Sequence, residues 1–242
     1  MPRDTLTREK IIKAAIDLLD SDGLEGLNIR ALGSRLGSAA TAVYWHVDSK
    51  DNLIALAADQ AWNEIALPDP DAAGWRDAAA AMAVGLHAML VRHPWLLQAF
   101  GSFLLFGPGK ARHDDHILAI YEAAGFSCTQ ADQAAAAVFT FVLGNALGIA
   151  AAASLARKLS RDGGNPEELI RDHVAKAIEI ASQFPRLRSR LETAAAADYS
   201  AAPGGSFEFG LRAMLDGLAA QLAVAGSYSA AAAEKPGPGV PR

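Results

Sequence analysis

The feature that most restricts the fold of this chain is the spacing of helix-stopping residues in its first 50 positions. Apolar residues recur there every three to four positions, as in amphipathic helices, and glycines interrupt the pattern at short intervals. Residues able to cap a helix stand at the restarts. The pattern predicts three short helices joined by tight turns, from Thr7 to Gly23, from Asn28 to Gly37 and from Ser38 to about His46.

Two glycines define the junction between the second and third of these helices. Gly33 and Gly37 leave room for close approach, while Leu32, Leu36 and Val43 supply apolar contacts between the two helices. Two short helices joined in this way form a helix-turn-helix, whose second helix is presented outward. The sequence therefore predicts that the third helix contacts a partner.

The rest of the chain is also predicted to be helical, because alanine is abundant and strand-favouring residues are sparse. Further helices are predicted at 50–66, 74–92, 95–104, 113–125, 129–157, 165–183, 184–197 and 206–224. We therefore predict an all-α fold. It has a three-helix helix-turn-helix domain at 1–50, a larger C-terminal helical domain at 51–225 and a disordered tail at 226–242.

Overall charge does not indicate a nucleic-acid partner. Residues 1–50 hold seven Lys or Arg and seven Asp or Glu, and the whole chain has a formal net charge of −5. Any DNA-binding role must therefore depend on where the charges lie. The single Cys128 excludes an internal disulfide, and the charged N-terminus lacks the apolar core of a secretory signal. We expect a cytoplasmic protein.

One segment is long enough to cross a membrane. Residues 134–156 carry no charge and include Gly144 and Gly148 at the spacing of packed membrane helices. The run is mostly alanine, however, it contains polar residues such as Thr140 and Ser154, and no second span accompanies it. A buried helix of a protein without a membrane role is the preferred interpretation.

The segment TREKIIKAAIDLLDSDGLEGLNIRALGSRLGSAATAVYWHVDSKDNLIALAAD resembles the DNA-binding domain of the TetR family of transcriptional regulators. The resemblance lies in the AA-x-x-LL core of the first helix, the Gly-x-x-Gly-Leu link, Arg-x-Leu-x-x-x-Leu-Gly and Tyr-Trp-His-Val-x-x-Lys. The last motif and FEFGLRAMLDGLAAQL near the C-terminus are similar to the branch close to the tetracycline repressor. The resemblance implies a homodimeric repressor that leaves a palindromic operator in double-stranded DNA when a small-molecule effector binds.

On this resemblance the third helix lies in the major groove and the fourth begins against the DNA backbone. Arg30 is the best candidate for reading a guanine, because its guanidinium matches O6 and N7. The start of the reading helix offers only small side chains at Ala39, Ala40 and Thr41, so specificity is expected to depend on Arg30, Thr41, Tyr44 and DNA shape. The full predicted DNA-binding set is Asn28, Arg30, Ala39, Ala40, Thr41, Tyr44, Trp45, His46 and Lys50.

The resemblance also makes 51–225 a ligand-binding and dimerisation domain. Helices 129–157 and 206–224 are the expected dimer face, and a largely apolar effector is expected between that face and the fourth helix. No histidine of this sequence matches the magnesium-drug ligands of the tetracycline repressor, so we do not expect tetracycline itself. The predicted lining is His87, Met89, Trp95, Phe100, Phe103, Phe106, His116, Tyr121 and Asn145, with His93 as a further polar candidate.

Two other functional classes remain open from the residues. His113, Asp114, Asp115 and His116 have the composition of a metal site, which would suit a metal-dependent helical enzyme. They stand at a predicted helix start, where aspartates serve as caps, and no spaced third ligand follows. A protein-interaction module is the other alternative. We expect no cofactor, no resident metal and no catalytic residue, because neither a nucleophile–base set nor a phosphate-binding glycine loop is recognisable.

Overall fold

The computed structural model describes residues 6–161, 165–192 and 205–233, and the regular structure within these ranges is α-helical. The helices are α1 Arg8–Gly26, α2 Ile29–Arg35, α3 Ala40–Val47, α4 Lys50–Trp62, α5 Pro70–Ala73, α6 Trp75–Arg92, α7 Trp95–Phe100, α8 Pro108–Ala123, α9 Cys128–Arg161, α10 Pro166–Ser182, α11 Pro185–Leu191 and α12 Ser206–Ala233. The predicted all-α fold is confirmed.

The predicted helix starts in the N-terminal region follow from side-chain caps. The Thr7 hydroxyl accepts from the Lys10 amide, and the Asn28 and Ser49 side chains cap α2 and α4 in the same way. Gly23 leaves the helical conformation with φ of 71°, as predicted, although a last turn carries α1 on to Gly26. Capping residues thus fix the starts of three of the first four helices to within about two residues, whereas α4 ends at Trp62, four residues earlier than predicted.

The structure differs from the predicted bounds at several places in the larger domain. The short α5 was not predicted, α7 ends at Phe100 rather than near 104, and α8 begins at Pro108, five residues early. Helix α12 continues to Ala233, so the predicted disordered tail is helical at 226–233. Residues 193–197 and 234–242, which belong to a predicted helix and to that tail, lie outside the described residues.

One apolar core runs through the described part of the chain. In the N-terminal region it joins α1 to α4 through buried side chains such as Leu19, Leu32, Val43 and Leu53. It continues into the larger region, where α6 packs against α8 and α9 and α12 covers one side. Helix α4 contacts both α1 and α8, so it belongs to both regions.

Helix α9 is the long apolar helix that raised the membrane question. Residues Cys128–Leu159 have a mean hydropathy of 1.9 over the most apolar window, but only 28% of that window is buried within this chain. Within a single chain this helix is therefore buried on one side only. Leu147, Ile149 and Leu155 are exposed along the second half of α9, and Phe209 is exposed on α12.

Candidate functional site

The turn between α2 and α3 is closed by contact between backbones at Gly33. The Ser38 amide donates to the Gly33 carbonyl at 2.8 Å. A Cβ at Gly33 would lie 2.8 Å from the Ser38 carbonyl oxygen and 3.3 Å from the Ala40 nitrogen. Because these are main-chain atoms, no rotamer change can relieve the contact. Gly33 therefore sets the distance between α2 and α3, as the sequence predicted. The same prediction for Gly37 is wrong, because a Cβ there would meet no described atom within 4 Å beyond its chain neighbours, and this glycine serves the turn through its φ of 62° instead.

Helix α3 is held from one side and leaves its aromatic side chains in solvent. Val43 and Val47 are completely buried, and Ala40 packs partly against the core. On the other side Trp45 is 88% exposed and Tyr44 45% exposed, next to exposed Thr41 and His46. Leaving a tryptophan in water forgoes the stabilisation that its burial gives, so this face is suited to contact with another molecule.

The predicted contacts outside α3 lie at helix starts nearby. The exposed Asn28 caps α2 by accepting from the Arg30 amide at 2.8 Å, and the Arg30 side chain is also exposed. Lys50, at the start of α4, donates to the Leu24 carbonyl at 3.3 Å. Its ammonium keeps two further protons for another acceptor.

A cavity of about 280 Å³ lies between α6, α8 and α9. Its walls combine small and apolar side chains with a few polar groups from α8 and α9. The lining residues are Ala79, Met82, Ala83, Leu86, Lys110, His113, Asp114, Ile117, Leu118, Asp132, Ala135, Ala136, Val138 and Phe139. An apolar cavity with a few convergent polar groups is typical of a small-molecule site.

The polar wall of this cavity is built around Lys110. Its ammonium forms an ion pair with Asp114 and lies over two aromatic rings, 5.3 Å from the centroid of Trp62 and 5.7 Å from that of Phe139. Burial raises the pKa of Asp114, but hydrogen bonds from His113 and Lys110 outweigh it, so this pKa lies below its usual value. Asp114 is therefore a carboxylate at neutral pH.

The same turn of α8 is fastened to α4. The Asp59 carboxylate of α4 accepts from the Gly109 amide at 2.8 Å and from the Lys110 amide at 3.1 Å. Arg112 donates to the Asn63 side chain at 2.6 Å. Carboxylates favour helix N-termini because the free amides and the helix dipole both attract negative charge. The first turn of α8 and the second half of α4 thus form one hydrogen-bonded unit.

Comparison with known proteins identifies the whole arrangement. Residues 11–57 match the family model described as bacterial regulatory proteins, tetR family, and residues 67–222 match the tetracyclin repressor-like C-terminal domain. The chain belongs to the TetR family. This confirms the predicted resemblance and extends it from the helix-turn-helix to the larger region.

Individual relatives agree with this family assignment. An HTH-type transcriptional regulator of Saccharopolyspora erythraea is 38% identical over 140 residues, which are 58% of this chain and 59% of that protein. The HTH-type transcriptional repressor DrrR1 of Streptomyces coeruleorubidus is 30% identical, over 90% of this chain and 78% of the repressor. The crystal structure of a possible TetR family transcriptional regulator from Streptomyces coelicolor covers 88% of this chain and 98% of its own, with 28% identity and a TM-score of 0.64.

The predicted ligand-binding residues of this TetR-family chain do not line the cavity. Five of them belong to the core: Trp95, Met89 and Tyr121 are buried in it, and Phe100 and Phe103 pack partly against it. Three polar residues contact other groups of the chain, since His87 stacks on Phe207, His116 bonds the Pro68 carbonyl and Asn145 bonds the Phe141 carbonyl. Phe106 is 76% exposed. Phe100 contacts the cavity lining, since its ring packs against Phe139, which lines the cavity, and against Trp62. The prediction favoured large aromatic side chains, which fill space rather than leave it.

His93 lies at the junction of the two regions instead. Its buried ring bonds Asp20 of α1 at 2.7 Å and Glu64, just past α4, at 3.1 Å, and Trp95 donates to the same Asp20 oxygen. Burial lowers the pKa of His93, but the hydrogen bonds and charges of the two carboxylates outweigh it, and the pKa is raised. His93 therefore ties α1, and with it the helix-turn-helix, to the larger region.

The metal hypothesis receives no support from the geometry. His113 and Asp114 approach each other at 3.3 Å, but Asp114 pairs with Lys110, and His116 turns away to the Pro68 carbonyl. Within the described residues no group of three or more His, Cys, Asp or Glu side chains could hold a metal ion.

A signal for the cavity is nevertheless present in the sequence. Lys110, His113, Asp114 and Ile117 share one face of α8 at helical spacing, and α6 and α9 oppose that face with alanines. Aligned alanines on packed helices leave space that larger residues would fill. Such a pattern is visible only when the three helices are known to be neighbours.

Proposed function

We propose that this chain is a homodimeric, cytoplasmic transcriptional repressor that binds a palindromic operator and releases it when a small, largely apolar molecule occupies the cavity between α6, α8 and α9. The observation that carries the proposal is the outward face of α3, where Tyr44 and Trp45 stand in solvent on a helix anchored by two buried valines. Its relatives are transcriptional regulators rather than enzymes.

The DNA contacts in this proposal follow the exposed groups. Arg30 reads a guanine in the major groove, and Thr41 and the aromatic pair on α3 contact bases and backbone. Asn28, His46 and Lys50 position the helix through phosphates, because they stand at helix ends around it. Ala39 and Ala40 can contribute to base recognition only through the fit to the shape of the DNA and through apolar contact with thymine methyl groups.

The effector role of the cavity is supported by its connection to α4. The α8 turn that carries Lys110 is bonded to Asp59, and α4 begins next to the helix-turn-helix. A ligand that moves this turn changes the position of α4 relative to α1. Release of a nearly full operator requires the ligand to prefer the released arrangement by about 5 kcal/mol.

The homodimer is supported by apolar surface that one chain leaves uncovered. Leu147 and Leu155 of α9 and Phe209 of α12 are exposed on adjacent helices. A second copy that packs these helices against its own would bury this surface and place two reading helices at the spacing of a palindrome. The same surface explains why α9 is apolar enough to resemble a membrane span.

Selection of bound duplexes from a random pool at about 0.15 M salt tests the DNA function, since non-specific phosphate contacts are weakened there. We expect a palindrome. Arg30→Ala should weaken binding to it by about 1 to 3 kcal/mol and relax one position in each half-site. Arg35→Ala is the matched control, because Arg35 lies on the same helix but faces Asp17 of α1 at 4.0 Å.

The two arginine variants separate base reading from general charge. Both remove one positive charge from α2, so an equal loss of affinity in both would mean that Arg30 acts only through charge. If no sequence is enriched while the protein is folded and dimeric, the DNA-binding proposal is wrong, and the interaction-module hypothesis takes its place.

Sedimentation equilibrium tests the dimer. Leu147→Glu on α9 should shift the protein towards monomer and abolish operator binding. Leu104→Glu is the control, because Leu104 is 98% exposed in the loop after α7 and lies on neither helix of the proposed interface. A Leu147→Glu protein that remains dimeric would place the interface elsewhere.

A further inference from the structure

On the polar wall of the cavity, the ammonium of Lys110 occupies a place that attracts a cation. An ammonium within about 6 Å of an aromatic centroid is attracted by the negative face of the ring. Lys110 meets this condition for both Trp62 and Phe139, and Asp114 supplies the counter-charge. Trp62 and Phe139 lie nearly parallel, with an interplanar angle of 20°, and Trp62 is buried.

The charges around the cavity favour a cation over an anion. The lining contains two carboxylates, Asp114 and Asp132, against the single ammonium of Lys110. Lys110 is already paired, so an anionic ligand would have to take it from Asp114 and then face both carboxylates. A cationic ligand would meet the carboxylate of Asp132, which is exposed at the cavity and forms no ion pair within the described residues, and would compete only with Lys110.

The rest of the cavity specifies what must accompany the charge. Alanines, Met82, Leu86 and Ile117 line most of it, and Phe139 offers a flat wall. A volume of about 280 Å³ suits a molecule of two or three rings rather than a small amine. The Lys110 ammonium can move out to solvent, because its side chain is 21% exposed and has a flexible aliphatic stem.

We infer that the effector is an apolar, ring-containing molecule with one protonated amine, and that this amine displaces Lys110 from Trp62, Phe139 and Asp114. The inference rests on the proposed role of this cavity as the effector site. The backbone amide of Lys110 donates to Asp59 of α4. Displacing the Lys110 side chain therefore couples occupation of the cavity to the position of α4 through a single residue.

Three naphthalene probes of similar size, with a cationic, a neutral or an anionic polar group, test this inference by titration calorimetry on the full chain at pH 7. Protonated 2-naphthylmethylamine should bind about tenfold more tightly than neutral 2-naphthylmethanol, and 2-naphthoate should bind most weakly. Asp114→Asn should narrow the preference for the amine over the alcohol without abolishing it, because Phe139, Trp62 and Asp132 remain. Lys110→Met should raise the affinity for the amine several-fold, because the internal competitor is removed. Asp115→Asn, an exposed neighbour outside the lining, is the control and should leave all three affinities unchanged.

Equal affinities for the three probes, tightest binding of the naphthoate, or no binding of any probe at about 1 mM would overturn the inference. Thermal unfolding of each variant provides the fold check. If the variants unfold as cooperatively as the wild type, the wild type binds its selected duplex, and the preference for the amine is absent, only the effector class is wrong. If no duplex is selected at all, the proposed function fails whatever the probes do.

Discussion

The contact at Gly33 allows a quantitative prediction for Gly33→Ala. A methyl group would lie 2.8 Å from the Ser38 carbonyl oxygen, and ordinary van der Waals contact begins at 3.4 Å, so the turn into α3 must move by about 0.6 Å. Overpacking of this kind costs about 1 to 3 kcal/mol, and alanine returns up to about 1 kcal/mol through its helix propensity. We expect a net loss of about 1 to 2 kcal/mol in the free energy of unfolding.

Two assays report different consequences of this change. Thermal unfolding should show a Tm lower by about 2 to 8 °C for a chain of this size. Titration of the selected operator should show an affinity at least about tenfold weaker, because the displaced turn carries the start of α3, and bidentate base contacts tolerate little displacement. The affinity loss should exceed what the stability change explains, since the protein remains folded at the assay temperature.

Two other glycines provide the controls. Gly37 has φ of +62°, and a Cβ added there would meet no atom of the described residues within 4 Å beyond its chain neighbours. Gly37→Asn should therefore be tolerated, because asparagine accepts the left-handed conformation. Gly101→Ala meets only the Gln98 carbonyl at 3.6 Å and should be neutral. If Gly33→Ala unfolds and binds operator like these two variants, the backbone contact at Gly33 does not set the geometry of α3, and the reasoning is refuted.

Three further changes probe the junction, the core and the connection to α8. Because the pKa of His93 is raised, its bonds to two carboxylates contribute stability below about pH 6.5, and this contribution is lost as the pH rises through the raised pKa. The Tm difference between wild type and His93→Gln should therefore shrink from pH 6 to pH 8. Burial raises the pKa of Tyr121 to about 12, and its hydroxyl has no hydrogen-bond partner among the described residues, so Tyr121→Phe should stabilise by up to about 1 kcal/mol in urea unfolding. A Cβ at Gly109 would overlap the Asp59 carbonyl oxygen, so Gly109→Ala should lower the Tm by several degrees and blunt the response of operator binding to an effector.

For each of these three variants, one outcome would contradict the prediction. A Tm difference for His93→Gln that is constant with pH would mean that the ring is not charged at the junction. A loss of stability in Tyr121→Phe would mean that the hydroxyl finds a partner. A Gly109→Ala protein with normal stability would show that α8 does not approach α4 so closely.

The helix-turn-helix could be predicted from sequence because its information is local. Asn28 and Ser49 are caps for the residues next to them, and Gly33 and Gly37 meet constraints set within a few positions. The cavity could not, because it depends on which faces of α6, α8 and α9 meet. Large aromatics such as Trp95 attracted the prediction, yet Trp95 fills the core and bonds Asp20, 75 residues away in sequence.

Helix α4 explains how one short element can serve both regions. It has 13 residues and is therefore about 20 Å long, with Lys50 bonded to α1 at one end and Trp62 beneath Lys110 at the other. Near that second end, two hydrogen bonds from α8 amides reach the Asp59 carboxylate, and bonds to a charged group contribute about 1.5 to 3 kcal/mol each. Their sum is of the same order as the roughly 5 kcal/mol that a ligand must supply to empty a nearly full operator. On the proposed function, breaking this one attachment would therefore supply a free-energy difference of the size that release of the operator requires.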